Sequence, residues 1–501
     1  MPQWSLFKST RSLIGLIPFI LQISPASAQN LPQRPPQYVL ISFDGSYTNS
    51  MWQATRKQAL ATNAQVTHFI SGVDFLMGSD QRKIEGAVDH IYIPPQYKGG
   101  SRSAIGFGGD RETMNRRIFE MKASMDAGME IGGHGNSHFD GSRWSAADWT
   151  YEFTEFFRFL YDVFDINTLR ERDTQVSERD WKESLKPQLR SFRAPFLGRG
   201  PGLWETLGKK EWTIDGQRQS FSFVYDASDV AQSPSAWPEK SNLGFWYFRM
   251  AMIPVPGRTR SVLSMDYNFY VAHSDNPAAP KDKPEKASEF EEQMYQAYVN
   301  WFLRNYHSNR APINIGHHFS TWNRGAYWKA LQRFMKDVCT LPEVRCATGL
   351  ELAAFLEQQS AQTLAHYARG EFRKDGMKQV QIPLKVLTSA SNEQRLSYQN
   401  VHDGIATLPN SATVNFKWRV ESKIVGETAL DLASLAKSGV SRIDLIKEGS
   451  EQSSIPLFLD WNPSTNETHL IKWSEEEVAP CNAEAHQEKV DSQFLSPGIN
   501  L

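Results

Sequence analysis

Residues 130–138 read Glu130-Ile131-Gly132-Gly133-His134-Gly135-Asn136-Ser137-His138. The segment begins as a short strand and ends with two histidines at positions i and i+4. Such a pair can hold one metal ion from neighbouring turns of helix or from a tight loop. Taken alone, the pattern more often marks two unrelated surface or hydrogen-bonded histidines. A zincin protease would carry glutamate, its general base, directly after the first histidine. Gly135 stands there instead, which excludes that class.

On the N-terminal side, residues 111–127 place Met114, Ile118, Met121 and Met125 at helical spacing, three and four apart. Further strands are expected at 38–43, 66–70, 189–192, 221–225 and 313–315, with further helices at 289–306 and 327–338. Strands alternating with longer helices predict an α/β domain built on parallel strands. Five of these apolar runs lead at once to a reactive or turn-forming residue: Asp44, His134, Arg193, Asp226 and the pair His317–His318. Functional groups at the carboxyl ends of parallel strands are what a barrel or open α/β sheet presents. The glycine-rich stretches 106–109 and 198–202 lack the strand–helix context of phosphate loops and read as plain loops.

The ordered set resembles the polysaccharide deacetylase, or NodB-homology, family. Residues 125–138 are similar to its helix-Gly-x-Glu-x-Gly-x-His segment, completed by Ser137-His138. Ile41-Ser42-Phe43-Asp44 resembles its first motif and Arg193-Ala194-Pro195-Phe196 its third. Tyr225-Asp226-Ala227-Ser228-Asp229 resembles the fourth, and residues 313–318 the final strand ending in histidine. The wording is nearest the chitin-deacetylase-like branch. The resemblance implies a distorted (β/α) barrel that removes N- or O-linked acetyl groups from a polysaccharide. It implies a divalent metal, zinc with cobalt or manganese as alternatives, held by His134 and His138 and activating water. Asp44 would be the base, oriented by Arg193, and His318 or His317 the general acid. Asp226 or Asp229 would orient that histidine. Neighbouring strand residues face opposite ways, so only one of His317 and His318 points into the site; counting from Pro312 favours His318.

The chain departs from the family at one point. Active members carry two adjacent aspartates in the first motif, one the base and the next a metal ligand, whereas Asp44 is followed by Gly45. Aligned through Ser42-Phe43, Asp44 is the base and the ligand is missing. Aligned through Asp-Gly, Asp44 is the metal ligand and the base is missing. Asp74 and Asp140 are the substitute ligands to consider. Three functions stay open: a metal-dependent deacetylase, a catalytically impaired glycan-binding protein, and a metal-independent C–N or ester hydrolase.

The rest of the chain fits an exported globular protein. Lys8 and Arg11, the apolar run 12–23 and Ala26-Ser27-Ala28 predict a signal peptide over 1–28, removed on the way to the periplasm or the medium. No later stretch is long enough to span a membrane. A net charge of −2 without blocks of like charge argues against nucleic-acid partners. Aromatic residues make up 12% of the chain, weak support for a carbohydrate cleft. Of three cysteines, Cys339 and Cys346 are spaced for a disulfide, although Cys481 could pair with either. The barrel domain is expected over 29–365. A smaller strand-rich domain is expected over 370–475, with strands at 380–387, 412–420, 441–447, 455–461 and 468–473 and a helix at 428–437. A poorly ordered polar tail is expected over 476–501.

Overall fold

Strand Gln37–Asp44, here β1, is buried at all eight positions. Val39, Ile41 and Phe43 pack outward against helices, while Tyr38 and Leu40 pack inward on Phe69, Tyr225 and Phe248. Burial on both faces is the signature of a parallel strand between a core and a helical layer. The computed structural model describes residues 31–78, 92–255 and 261–376, positions 380 and 382, and short strand segments between 401 and 471.

Around β1 lie β2 (Thr67–Ile70), β3 (Glu130–Gly133), β4 (Ser191–Phe192), β5 (Tyr225–Asp226), β6 (Glu239–Lys240), β7 (Trp246–Tyr247), β8 (Ile313–His318) and β9 (Val344–Ala347). They form one curled nine-stranded sheet in the order β8-β1-β2-β3-β4-β5-β7-β6, with β9 paired to the first half of β1. Every pairing is parallel except β6 with β7. Among the described residues no ladder joins β7 to β8. Single backbone bonds cross the gap instead, from Ser264 N to Ala251 O at 2.8 Å and from Gly316 N to Ser264 O at 2.9 Å. The result is a distorted, incompletely laddered barrel in a mixed α/β fold.

Helices α1 (Asn49–Ala61), α2 (Arg111–Asp126), α3 (Ala146–Tyr161), α4 (Asp266–His273), α5 (Ala287–His307) and α6 (Trp322–Val338) cover the sheet. Asp110 caps α2 by accepting from Thr113 N, and Ser145 with Asp148 forms a reciprocal capping box on α3. At the amino ends of the strands a buried carboxylate ties the barrel together. Glu130 accepts from Ser191 Oγ at 2.6 Å, Tyr225 Oη at 2.7 Å and Leu350 N at 3.0 Å. The expected disulfide forms: Cys339 and Cys346 are bonded, joining the end of α6 to β9.

Several boundaries differ from expectation. The strand expected at 189–192 begins only at Ser191, because Leu189 adopts φ +61°. Of 221–225 only Tyr225 joins the sheet; Phe221 and Phe223 pack on Phe157 and Trp212 instead. The barrel core continues past residue 365, since Tyr367, Phe372, Val380 and Ile382 are buried in its clusters. Beyond it, Lys423–Val425, Phe416–Val420, Arg442–Lys447, Ser454–Asn462 and Glu467–Ile471 form a five-stranded antiparallel sheet in that order. Ala429–Asp431 is a strand paired to Ile405–Thr407 where a helix was expected. The expected signal peptide over 1–28, most of the strand expected at 380–387 and the tail expected over 476–501 lie outside the described residues. Among the described residues no helix is long and apolar enough to cross a membrane.

Candidate active site

The strand register assembles the site. Asp44 pairs with His318 across β1 and β8, and both lie at the carboxyl ends of their strands on the face that points into the barrel. Their neighbours Phe43 and His317, also paired, point outward. At the end of β4, Arg193 reaches across the barrel and donates from Nη1 to Asp44 Oδ1 at 2.8 Å. It can do so because β8 offers Gly316 there: a Cβ on Gly316 would lie 3.3 Å from Arg193 Nη1 and under 3 Å from two methionine methyl groups. The guanidinium is fully buried, lies over the Phe69 ring, and its Nη2 has no hydrogen-bond partner among the described residues.

Burial alone would raise the Asp44 pKa, but Arg193, then His134 and His318, outweigh it and hold the carboxyl below its ordinary range. Asp44 is therefore ionised and able to accept a proton. His318 is tuned the opposite way. Burial would lower its pKa, yet the Asp266 carboxylate at the start of α4 outweighs this and raises it. Asp266 Oδ1 lies 2.6 Å from His318 Nδ1, and its Oδ2 accepts from the His318 backbone N at 2.9 Å. The result is a buried carboxylate base beside a protonatable histidine whose Nε2 is left for other work. Groups with opposed shifts in one cleft are the arrangement acid–base catalysis uses.

His134 and His138 stand on the loop after β3. His134 Nδ1 lies 2.7 Å from the Arg193 carbonyl, which can only accept, so Nδ1 carries the proton and Nε2 keeps its lone pair. Burial lowers the pKa of both rings, that of His138 to about 3. The ring centroids are 5.2 Å apart. Bending the chain this tightly takes left-handed backbone at Gly135 and His138, with φ of 68° and 57°. Between the two histidines, Asn136 N donates to the buried Glu152 Oε1 at 2.6 Å, anchoring the loop on α3.

Two neutral imidazoles are a sound half of a zinc site. The carboxylate half is absent. Among the described residues no group of three or more His, Cys, Asp or Glu side chains is arranged to hold a metal ion. Asp44 is engaged with Arg193. Asp74 accepts from Ser46 Oγ at 2.7 Å, and Asp140 is exposed and accepts from Ser142 N at 2.9 Å. A Cβ on Gly45 would meet nothing within 4 Å, and glycine itself brings no side-chain donor to that position. The described residues thus do not complete the expected metal centre.

Three expected roles are corrected by geometry. Asp226 does not orient His318; its Oδ1 accepts from Ser228 Oγ at 2.6 Å, and Ser228 Oγ in turn accepts from Ala194 N at 2.8 Å, bracing the segment that follows Arg193. Burial pushes the Asp226 pKa up to about 6. Asp229 is held in ion pairs with Arg199 and Arg249, both at 2.7 Å. His317 is fully buried on the outer face, 3.2 Å from Tyr298 Oη, with burial lowering its pKa to about 4. The orienting carboxylate, Asp266, escaped the sequence reading. The only local signal was a short stretch of mixed polarity, Ser261-Val262-Leu263-Ser264-Met265, leading at once to an acidic residue.

No family profile and no curated protein matches the chain. Among solved structures it is similar to a protein assigned as a polysaccharide deacetylase from Mycobacterium smegmatis, at 15% identity and TM-score 0.35, covering 65% of this chain and 95% of that one. It is also similar to peptidoglycan deacetylase PdaC from Bacillus subtilis, at 12% identity and TM-score 0.28, covering 66% and 96%. A mutant of a CE4 family pseudoenzyme with restored activity aligns at 10% identity and TM-score 0.31, covering 64% and 68%. All three carry deacetylase or CE4 family names, while a 4-alpha-glucanotransferase from Thermococcus litoralis aligns at a similar TM-score of 0.34. At such identities and scores the likenesses carry neither an activity nor a site across to this chain.

Proposed function

We propose that the chain is an exported hydrolase that removes acetyl groups from a polysaccharide, with Asp44 as general base and His318 as general acid. The observation that carries the reading is the opposed tuning of these two adjacent groups: Asp44 held ionised by Arg193, His318 held protonatable by Asp266. Asp44 takes a proton from the attacking water, which adds to the acetyl carbon. His318 then delivers a proton to the departing amine or alkoxide, and acetate leaves. The pairing of Asp44 with Arg193 favours the alignment in which Asp44 is the base and Gly45 occupies the ligand position. His134 and His138 would be the protein's share of any bound zinc, cobalt or manganese, which supplies Lewis acidity when present. The Cys339–Cys346 disulfide agrees with an oxidising compartment, periplasmic or extracellular.

A second reading is favoured by the incomplete ligand set: a glycan-binding protein that keeps the cleft without turnover. Acetate release from acetylated glycans separates the two, and its loss in Asp44→Asn ties turnover to this site. Chelator treatment distinguishes a metal-dependent enzyme, which loses activity, from a metal-independent hydrolase on the same barrel, which retains it.

A further inference from the structure

The seam between β7 and β8, which no ladder closes among the described residues, runs directly beneath the proposed acid. One serine stitches it. Ser264 is fully buried, and all of its polar atoms are bonded across the seam. Its N donates to Ala251 O at 2.8 Å, and its carbonyl accepts from Gly316 N at 2.9 Å. Its hydroxyl donates to Asn314 O at 2.8 Å and accepts from Ala251 N at 3.2 Å. Asn314 adds a second side-chain bridge, from Nδ2 to Phe248 O at 2.8 Å.

Apolar packing does not fix this seam. The side chains crowding Gly316 from this side are Met250 and Met265, which belong to one small cluster. Methionine is unbranched and adapts to irregular space rather than specifying one arrangement. Beside Asn314 the seam opens on a cavity lined by Leu40, Trp237, Phe248 and Pro312.

The stitched segments lead straight into the acid pair. Asp266 follows Ser264 by two residues, and its Oδ1 lies 2.6 Å from His318 Nδ1. Asn314 and Gly316 precede His318 on the same face of β8. The charged and titratable groups that act on His318 are Asp266, Asp44 on β1, Arg193 after β4, its neighbour His317, and His134 and His138 after β3. Of these, only Asp266 is carried on the segment that Ser264 ties to β8.

We infer that the Ser264 hydroxyl, with the Asn314 amide, is a positioning device that holds Asp266 in register with His318 across the open seam. The inference rests on reading His318 as the acid and deepens it. Without the hydroxyl, Ala251 N loses this partner inside a buried seam, and the segment carrying Asp266 moves to restore a bond. A displacement of a fraction of an ångström there is felt at the acid while the fold persists.

The test compares the wild type with Ser264→Ala, Ser264→Thr and Asn314→Leu, and with Thr174→Val as the control. Thr174 is a buried hydroxyl of the same bonding pattern on the separate helix Glu171–Thr174, donating to Val176 O at 2.8 Å and accepting from Val176 N at 3.2 Å. The readouts at 25 °C are the His318 midpoint by histidine-selective NMR, which needs no turnover, and kcat and KM for acetate release. In Ser264→Ala the midpoint should fall by at least about half a pH unit, and kcat about tenfold with KM unchanged. Ser264→Thr keeps the hydroxyl and should restore most of both. Thr174→Val should lower the melting temperature and move neither. Should Ser264→Ala fail to fold, Asn314→Leu, which removes only the bond to Phe248, decides by the same readouts. An unmoved midpoint in the folded seam variant overturns the inference, as does an equal shift in Thr174→Val. A shifted midpoint in a protein that releases no acetate upholds the inference and defeats the hydrolytic reading; acetate release with midpoint and kcat unmoved in Ser264→Ala does the reverse.

Discussion

Replacing Asp266 by Asn removes the charge that outweighs burial at His318 while keeping side-chain size and one acceptor oxygen. At 2.6 Å from Nδ1, a full charge contributes about 6 kcal/mol of attraction at an effective dielectric of about 20, much of it offset by desolvation. An opposite charge at such range typically shifts a pKa by about 1–3 units. The His318 midpoint should therefore fall from above 6.5, its ordinary value, to below it. The sign follows directly. A raised folded-state pKa stabilises the protonated fold, fully below about pH 6.5 and progressively less as pH rises through the raised value. In Asp266→Asn that contribution is lost and the neutral ring prevails. If His318 must be protonated to deliver its proton, the alkaline limb of kcat/KM moves down by about 1–3 units and the rate on that limb drops about 10–1000-fold. Histidine-selective NMR reports the same midpoint without turnover, against His318→Gln to assign the resonance. An unmoved His318 midpoint and an unmoved alkaline limb would refute the reasoning.

Asp44→Asn should abolish acetate release and cost about 3–5 kcal/mol in urea unfolding, because it leaves the buried Arg193 charge without its partner. Gly45→Asp should tighten zinc binding at least tenfold by calorimetry, since the added Cβ meets nothing within 4 Å; its φ of 91° should cost about 1–3 kcal/mol in stability. Gly316→Ala should destabilise by about 1–3 kcal/mol and slow turnover, because the new methyl crowds Met250, Met265 and the Arg193 guanidinium. Reducing the Cys339–Cys346 bond should lower stability by about 2–3 kcal/mol while leaving kcat/KM at 25 °C unchanged, since it closes a short loop away from the strand ends that carry the site.

What the sequence made legible was whatever depends on local order along the chain. Strands β1 and β8, whose apolar residues are followed directly by reactive ones, and the long helices α2, α5 and α6 were readable from periodicity and turn signals. Asp44, His134, Arg193 and His318 stood out because each follows such a run directly. The cross-strand facts were not legible. Asp226 ends an aromatic-rich run and Asp266 a short mixed one, and only the barrel's closure through Ser264 and Gly316 decides that Asp266, not Asp226, reaches His318. The aromatic run 221–225 imitates strand burial because Phe221 and Phe223 alternate inward, yet their partners are helix α3 and Trp212 rather than a neighbouring strand. Similarly, left-handed backbone at Leu189 and Phe196 is invisible to propensity, since neither residue favours it.

If Asp44 and His318 form a working base and acid for deacetylation, the purified chain releases acetate from an acetylated glycan. The assay is run with and without zinc, cobalt or manganese, beside folded Asp44→Asn and His318→Gln. Acetate is expected from the wild type and none from either variant. A wild type that binds glycan but releases no acetate under any of these conditions, or variants as active as the wild type, would contradict it.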